Sequence, residues 1–150
     1  MEDNKYYTPT IDEFHVGFEY EAFINNSWQS KVMNDYEDII YFLFDMNAKT
    51  WLSINEGIVR VKYLDKEDLE SLGFIKSKPR WHQHWNDFYK VYDSYSCNIR
   101  VNNIRNKTSI SIHTISINNI TKCLFIGTIK NKSELKVLLK QLGIEYGRGN

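Results

Sequence analysis

Few side chains in this chain have the type and spacing that chemistry needs. His82 and His84 stand two apart within Trp81-His82-Gln83-His84-Trp85. On a strand both imidazoles would point the same way, and Cys97 and Cys123 could complete the tetrahedral Cys₂His₂ set that zinc favours. Structural zinc sites usually bring their cysteines as close pairs, and these two are far apart in sequence. The plainer reading is two solvated imidazoles and two free thiols, so no metal or other cofactor is expected. Glu19 and Glu21 share one face of a strand, with His15 close by in sequence. Paired carboxylates can divide acid and base roles, which would suit a small hydrolase or nuclease. The alternative is a solvent-facing acidic strand beside Phe18 and Tyr20. There is no nucleophile elbow, Walker loop, GxGxxG or HExxH, and the expectation is a protein without catalytic activity.

Charge and aromatic content point towards binding. The 19 acids and 19 bases cancel. Residues 1–70 nevertheless carry 15 acids and 6 bases, a balance of −9, and residues 71–150 carry 4 acids and 13 bases, a balance of +9. The split implies either an electric dipole across the molecule, whose acidic face would attract basic partners or imitate a nucleic-acid backbone and whose basic face would attract phosphates, or two halves that interleave and neutralise one another. Arg100, Arg105, Lys107, Lys122, Lys130 and Lys132 share the basic half with Trp81, Trp85, Tyr89, Tyr92 and Tyr95. Cations interleaved with rings are the recipe for single-stranded nucleic acid, although no RNP-type or GXXG signature is present. The 22 aromatic residues exceed what one core of this size needs. Glu19, Glu21, Trp81, Trp85, Tyr89, Tyr92 and Tyr95 are therefore candidate anchors for a protein partner, where Tyr and Trp are enriched.

Several elements must position these residues. At 150 residues, without a Gly- or Pro-rich linker, the chain is expected to form one domain. Two cysteines make no disulfide framework, and with no signal segment and no apolar run near 18 residues the expected location is the cytoplasm, away from membranes. Thr10 and Glu13 frame one helical turn that Gly17 ends. Phe18–Ile24 alternates as a half-buried strand, and Trp28–Met33 follows a turn at Asn25-Asn26-Ser27 as its antiparallel partner. The length of 34–49 favours a helix. Ile58–Tyr63 is a strand with Val59, Val61 and Tyr63 on one face. Asp65 caps a short helix that Gly73 stops. Pro79 confines its segment to an edge. Asp87–Tyr92 and Cys97–Val101 read as a hairpin through 93–96, and 102–107 turns into the closing strands.

Thr108–Ile117 alternates, but Ile115 and Ile117 fall on the opposite parity to Ile110 and Ile112, which predicts an extra residue near His113 or Thr114. Asn118-Asn119 suits a two-residue turn. Thr121–Ile129 is more uniformly apolar and suggests a strand covered on both faces. Lys132–Leu142 is a helix capped by Asn131. Its stripe is Leu135, Leu138, Leu139 and Leu142, and Gly143 and Ile144 close it. The fold class is α+β: a largely antiparallel sheet with short helices and a C-terminal helix packed on one face.

The block Tyr7-Thr8-Pro9-Thr10-Ile11-Asp12-Glu13-Phe14-His15-Val16-Gly17-Phe18-Glu19-Tyr20-Glu21 resembles a family of small uncharacterised proteins of bacteriophages and prophage-bearing bacteria. Val59–Phe74 and Gly127–Leu135 resemble it as well, whereas 34–56 and 75–107 do not. The family carries no catalytic motif to transfer. The resemblance implies a phage-linked protein that docks on a host defence protein, with the anti-CRISPR inhibitors of RNA-guided effectors, type VI included, as the candidate class. The alternatives are a single-stranded nucleic-acid-binding module and a small hydrolase or nuclease.

Overall fold

A computed structural model describes residues 5–35, 58–77, 86–104 and 107–147. The helix expected over 34–49 falls, beyond Asp35, outside the described residues, as do Trp81, His82, His84, Trp85 and Arg105. The fold is α+β, with two antiparallel sheets and two helices among the described residues. The chain divides into two compact units, Met1–Tyr63 and Leu64–Asn150.

The first unit is a four-stranded sheet in the order β1-β4-β2-β3. Its strands are β1 (Tyr6–Tyr7), β2 (Glu19–Ile24), β3 (Ser27–Val32) and β4 (Val59–Lys62). The β2–β3 hairpin turns on Asn25 (φ 52°) and Asn26 (φ 62°). A tight two-residue hairpin needs positive φ at both central positions, and Asn tolerates it better than most residues. A 3-10 turn at Ile11–Glu13 precedes β2. The Glu13 carboxylate reaches back to accept from the Thr10 N–H at 3.2 Å and from the Tyr7 hydroxyl at 2.6 Å. This turn ends at Phe14, earlier than expected. Gly17 (φ 86°) serves a separate bend, donating its N–H to the Met33 carbonyl at 2.7 Å. Phe14, Phe18, Met33, Val59 and Val61 are buried together, with Tyr7 and Tyr20 against them.

The second unit is a five-stranded sheet in the order β5-β6-β7-β8-β9. The strands are β5 (Ile75–Lys76), β6 (Asn86–Val91), β7 (Tyr95–Ile104), β8 (Lys107–Ser116) and β9 (Thr121–Thr128), with helices α1 (Lys66–Ser71) and α2 (Lys132–Gln141). One cross-strand row, Phe88–Ile99–Ile112–Phe125, crosses four strands. It lies in a core with Leu64, Leu69, Leu72, Phe74, Leu135, Leu139 and Ile144. The buried α2 leucines Leu135 and Leu139 thus share one core with this row.

Both helices are capped at both ends. Asp65 accepts from the Asp68 N–H at 3.1 Å, and Asn131 from the Glu134 N–H at 2.9 Å. After each helix a Leu-Gly pair makes the same closure. Phe74 N–H donates to Leu69 O at 3.1 Å and Gly73 N–H to Glu70 O at 2.9 Å; Ile144 N–H donates to Leu139 O at 2.9 Å and Gly143 N–H to Lys140 O at 3.1 Å. This paired pattern satisfies carbonyls that a helix end otherwise leaves open, and it needs a left-handed residue, here Gly73 (φ 86°) and Gly143 (φ 69°).

Four expectations are corrected. The register shift at Ile112/His113 exists, but β7 and β8 pair without interruption there, so the extra residue is Leu124 on β9. Ile115 and Ile117 simply leave the core face, and Ile117 is exposed. The β8–β9 connection is longer than Asn118-Asn119: Asn119 N–H donates to Ser116 O at 2.9 Å and Ser116 N–H to Ile120 O at 3.0 Å. β9 is not covered on both faces. Among the described residues it is an edge strand, with Ile126 73% exposed. The β6–β7 connection is also tighter than 93–96, since Tyr92 N–H already pairs with Tyr95 O at 2.8 Å.

Candidate interaction surface

In the first unit the period of two decides what is left outside. Tyr20 on β2 and Val59 and Val61 on β4 turn towards the core. Their neighbours Glu19, Glu21 and Phe23, together with Arg60, therefore project from the opposite face. The register sets Trp28 against Phe23, Ser30 against Glu21 and Val32 against Glu19. Glu21 also lies opposite Arg60 on β4.

Arg60 is the centre of this outer face. Its Nε donates to Glu21 Oε2 at 2.7 Å. Its guanidinium carbon lies 3.7 Å from the Tyr6 ring centroid and 4.0 Å from that of Trp28. A planar cation between two rings loses little further rotamer freedom when it meets a partner. Trp28 in turn packs on Phe23, with centroids 5.3 Å apart. Apolar side chains remain open around this pair: Phe23 is 42% exposed, Trp28 37% and Val32 47%. Phe23 and Trp28 thus form one open apolar pair, with Val32 open beyond Ser30 on the same face of β3, and open apolar side chains bordered by charge are the composition of a docking surface.

The acid–base arrangement expected at this strand is not assembled. Glu21 is engaged by Arg60, and His15 packs edge-on against Phe18, centroids 5.5 Å apart, on the core side of the sheet. The two glutamates project from the other side. Cys97 and Cys123 likewise do not converge. Cys97 sits in the core, where burial pushes its thiol up to about 11, and exposed Cys123 lies opposite His113 on the other face of the sheet. Among the described residues no group of three or more His, Cys, Asp and Glu is placed to hold a metal ion.

Two of the tyrosines expected as partner anchors, Tyr92 and Tyr95, have internal work. Tyr92 and Tyr95 stack with centroids 4.6 Å apart. The Tyr92 hydroxyl donates to the Glu145 carbonyl, and Lys90 Nζ donates to the Gly147 carbonyl at 3.1 Å. Gly147 N–H returns to Leu72 O at 3.2 Å. Burial, with Cys97 and Glu145 nearby, holds both hydroxyls above the usual phenol range. These residues strap the chain after α2 against β6. Tyr89 is half-buried on β6, opposite Asn98.

Of the basic candidates, Arg105 lies outside the described residues and Arg100 is paired. Arg100 donates to both Asp87 carboxylate oxygens, at 2.9 and 3.5 Å. The Lys130 N–H donates to Glu134 at 2.7 Å, Lys132 opens α2, and Lys107 opens β8.

Sequence reasoning singled out Glu19 and Glu21 but missed Arg60, Tyr6, Phe23, Trp28 and Val32. The alternation of β2 was readable; the placement of β4 beside β2, and β1 beside β4, was not. No protein family, curated protein or solved structure matches the chain.

Proposed function

We propose that this is a non-enzymatic binding protein that docks on a host defence protein through the outer face of its four-stranded sheet. The observation that carries the reading is the ring-clamped Arg60 beside the open pair Phe23 and Trp28, with Val32 open on the same face. Preorganised Arg and Trp side chains are the residue types that dominate interface energies. The phage-type resemblance of Tyr7–Glu21 supports the class of partner, an RNA-guided CRISPR effector, with inhibition by occupancy of the effector's surface.

The test is plaquing of a phage on a host whose RNA-targeting effector restricts it. Expression of the wild-type chain is expected to restore plaques, and the double variant Phe23→Ser, Trp28→Ser, checked for native circular dichroism, is expected not to. Unchanged restriction in the presence of well-expressed wild-type protein would overturn the assignment to this partner. A double variant as active as wild type would overturn the assignment to this face.

A further inference from the structure

The edge beside this face has a sequence that fits itself. We propose that β3 pairs with β3 of a second copy, antiparallel and about a two-fold axis at Ser30, to give one continuous eight-stranded sheet. The inference does not depend on the host partner proposed above.

Backbone directions give the first argument. Phe23 N–H donates to Ile58 O at 2.8 Å, so the odd residues of β2 bond towards β4 and the even ones towards β3. On β3 the residues bonded to β2 are then Ser27, Gln29 and Lys31, continued by Met33, whose N–H donates to Phe18 O at 3.0 Å. Trp28, Ser30 and Val32 turn their N–H and C=O groups outward. Among the described residues no strand pairs with that edge.

The other described edges are blunted. β1 and β5 have two residues each, and β9 carries the Leu124 bulge. Shortness and bulges are the usual protections of an edge. β3 has six residues, no proline and no bulge. Its one protective charge is Lys31.

Side chains supply the second argument. With the axis at Ser30, the three outward-bonding positions meet one another: Ser30 meets Ser30 of the second copy, and Trp28 meets its Val32. The small hydroxyl stands at the crowded centre, and each open apolar side chain is covered by another. On the opposite face Lys31 meets Gln29 of the second copy, so no like charges stand directly opposed. The two Glu21 side chains would lie three strand spacings apart, roughly 14 Å, beyond the screening length in physiological salt. Each is already held by its own Arg60. The contact is isologous, as a closed dimer requires, and the second copy's Val32 completes the apolar row Phe23–Trp28.

Sedimentation velocity over a wide range of concentration tests this on the full chain. The expected species is twice the 17.9 kDa chain mass. Ser30→Lys places like charges at the axis and Ser30→Pro removes an outward N–H; both are expected to be monomers with native circular dichroism. Should either fail to fold, cross-linking decides. In a Cys123→Ser background, Ser30→Cys is expected to give a disulfide-linked dimer, because directly opposed residues lie about 5.5 Å apart at Cα, within disulfide range. Gln29→Cys in the same background is expected not to. A wild-type monomer at every concentration would overturn the proposal. So would a dimer that survives Ser30→Lys, or equal cross-linking from both cysteine variants.

Discussion

Arg60 combines three modest interactions. The Glu21 pair is largely shielded, with side chains 23% and 27% exposed. A partly exposed ion pair contributes up to about 1 kcal/mol, and each ring about 0.5–1 kcal/mol. Arg60→Ala is expected to lower stability by about 1–2 kcal/mol in urea titration, with Arg60→Lys in between because an ammonium does not stack as a plane. Cys97 makes a pH prediction. Its thiol is raised in the fold from the ordinary 9.0 to about 11, so the folded state holds the proton more tightly than the unfolded chain. That contribution is complete below pH 9 and is lost as pH climbs towards 11, by at most about 1.4 kcal/mol per pH unit. Alkaline unfolding curves between pH 9 and 10 should be flatter for Cys97→Ala than for wild type. Cys97 was marked by its sequence only as a candidate metal ligand, and Arg60 not at all. Arg60 reads as a polar position on an alternating strand, and only the neighbours brought by β1 and β3 turn it into a site.

Elements with local signals were legible: caps at Asp65 and Asn131, glycines at 73 and 143, the alternation of β2 and β4, and the asparagine turn at 25–26. What escaped was decided by neighbours distant in sequence. β9 looked buried because it is apolar, yet strand order leaves it at an edge. The parity change in β8 looked like a bulge in that strand, yet the inserted residue belongs to its partner. The two helix closures offer a matched comparison. Gly73 and Gly143 occupy equivalent left-handed positions, each costing an alanine about 1 kcal/mol of backbone strain. A Cβ on Gly143 would meet nothing within 4 Å, whereas one on Gly73 would stand 2.7 Å from the Gly147 carbonyl. Gly73→Ala should therefore lower the urea midpoint clearly more than Gly143→Ala, and equal shifts would mean that the strap yields freely.

Across the whole molecule the charge division read from the sequence follows the compact units. Met1–Tyr63 carries 11 acids and 5 bases, a balance of −6, and Leu64–Asn150 carries 8 acids and 14 bases, a balance of +6. Among the described residues fourteen buried residues gather in the second unit and five in the first. Chains near 60 residues with small cores are marginal alone. A fragment of residues 64–150 is expected to give a dispersed amide spectrum by itself, and a fragment of residues 1–63 a collapsed one. The strap after α2 has a practical corollary for anyone shortening this gene. A stop codon placed after Ile144 deletes the acceptors of Tyr92 and Lys90 and the amide donor of Gly147 in one step, whereas a stop after Gly147 spares all three. Because those contacts reach main-chain atoms, the exposed side chain at 145 can be rewritten far more freely than the reading frame can be cut, whereas Tyr146 packs against the core.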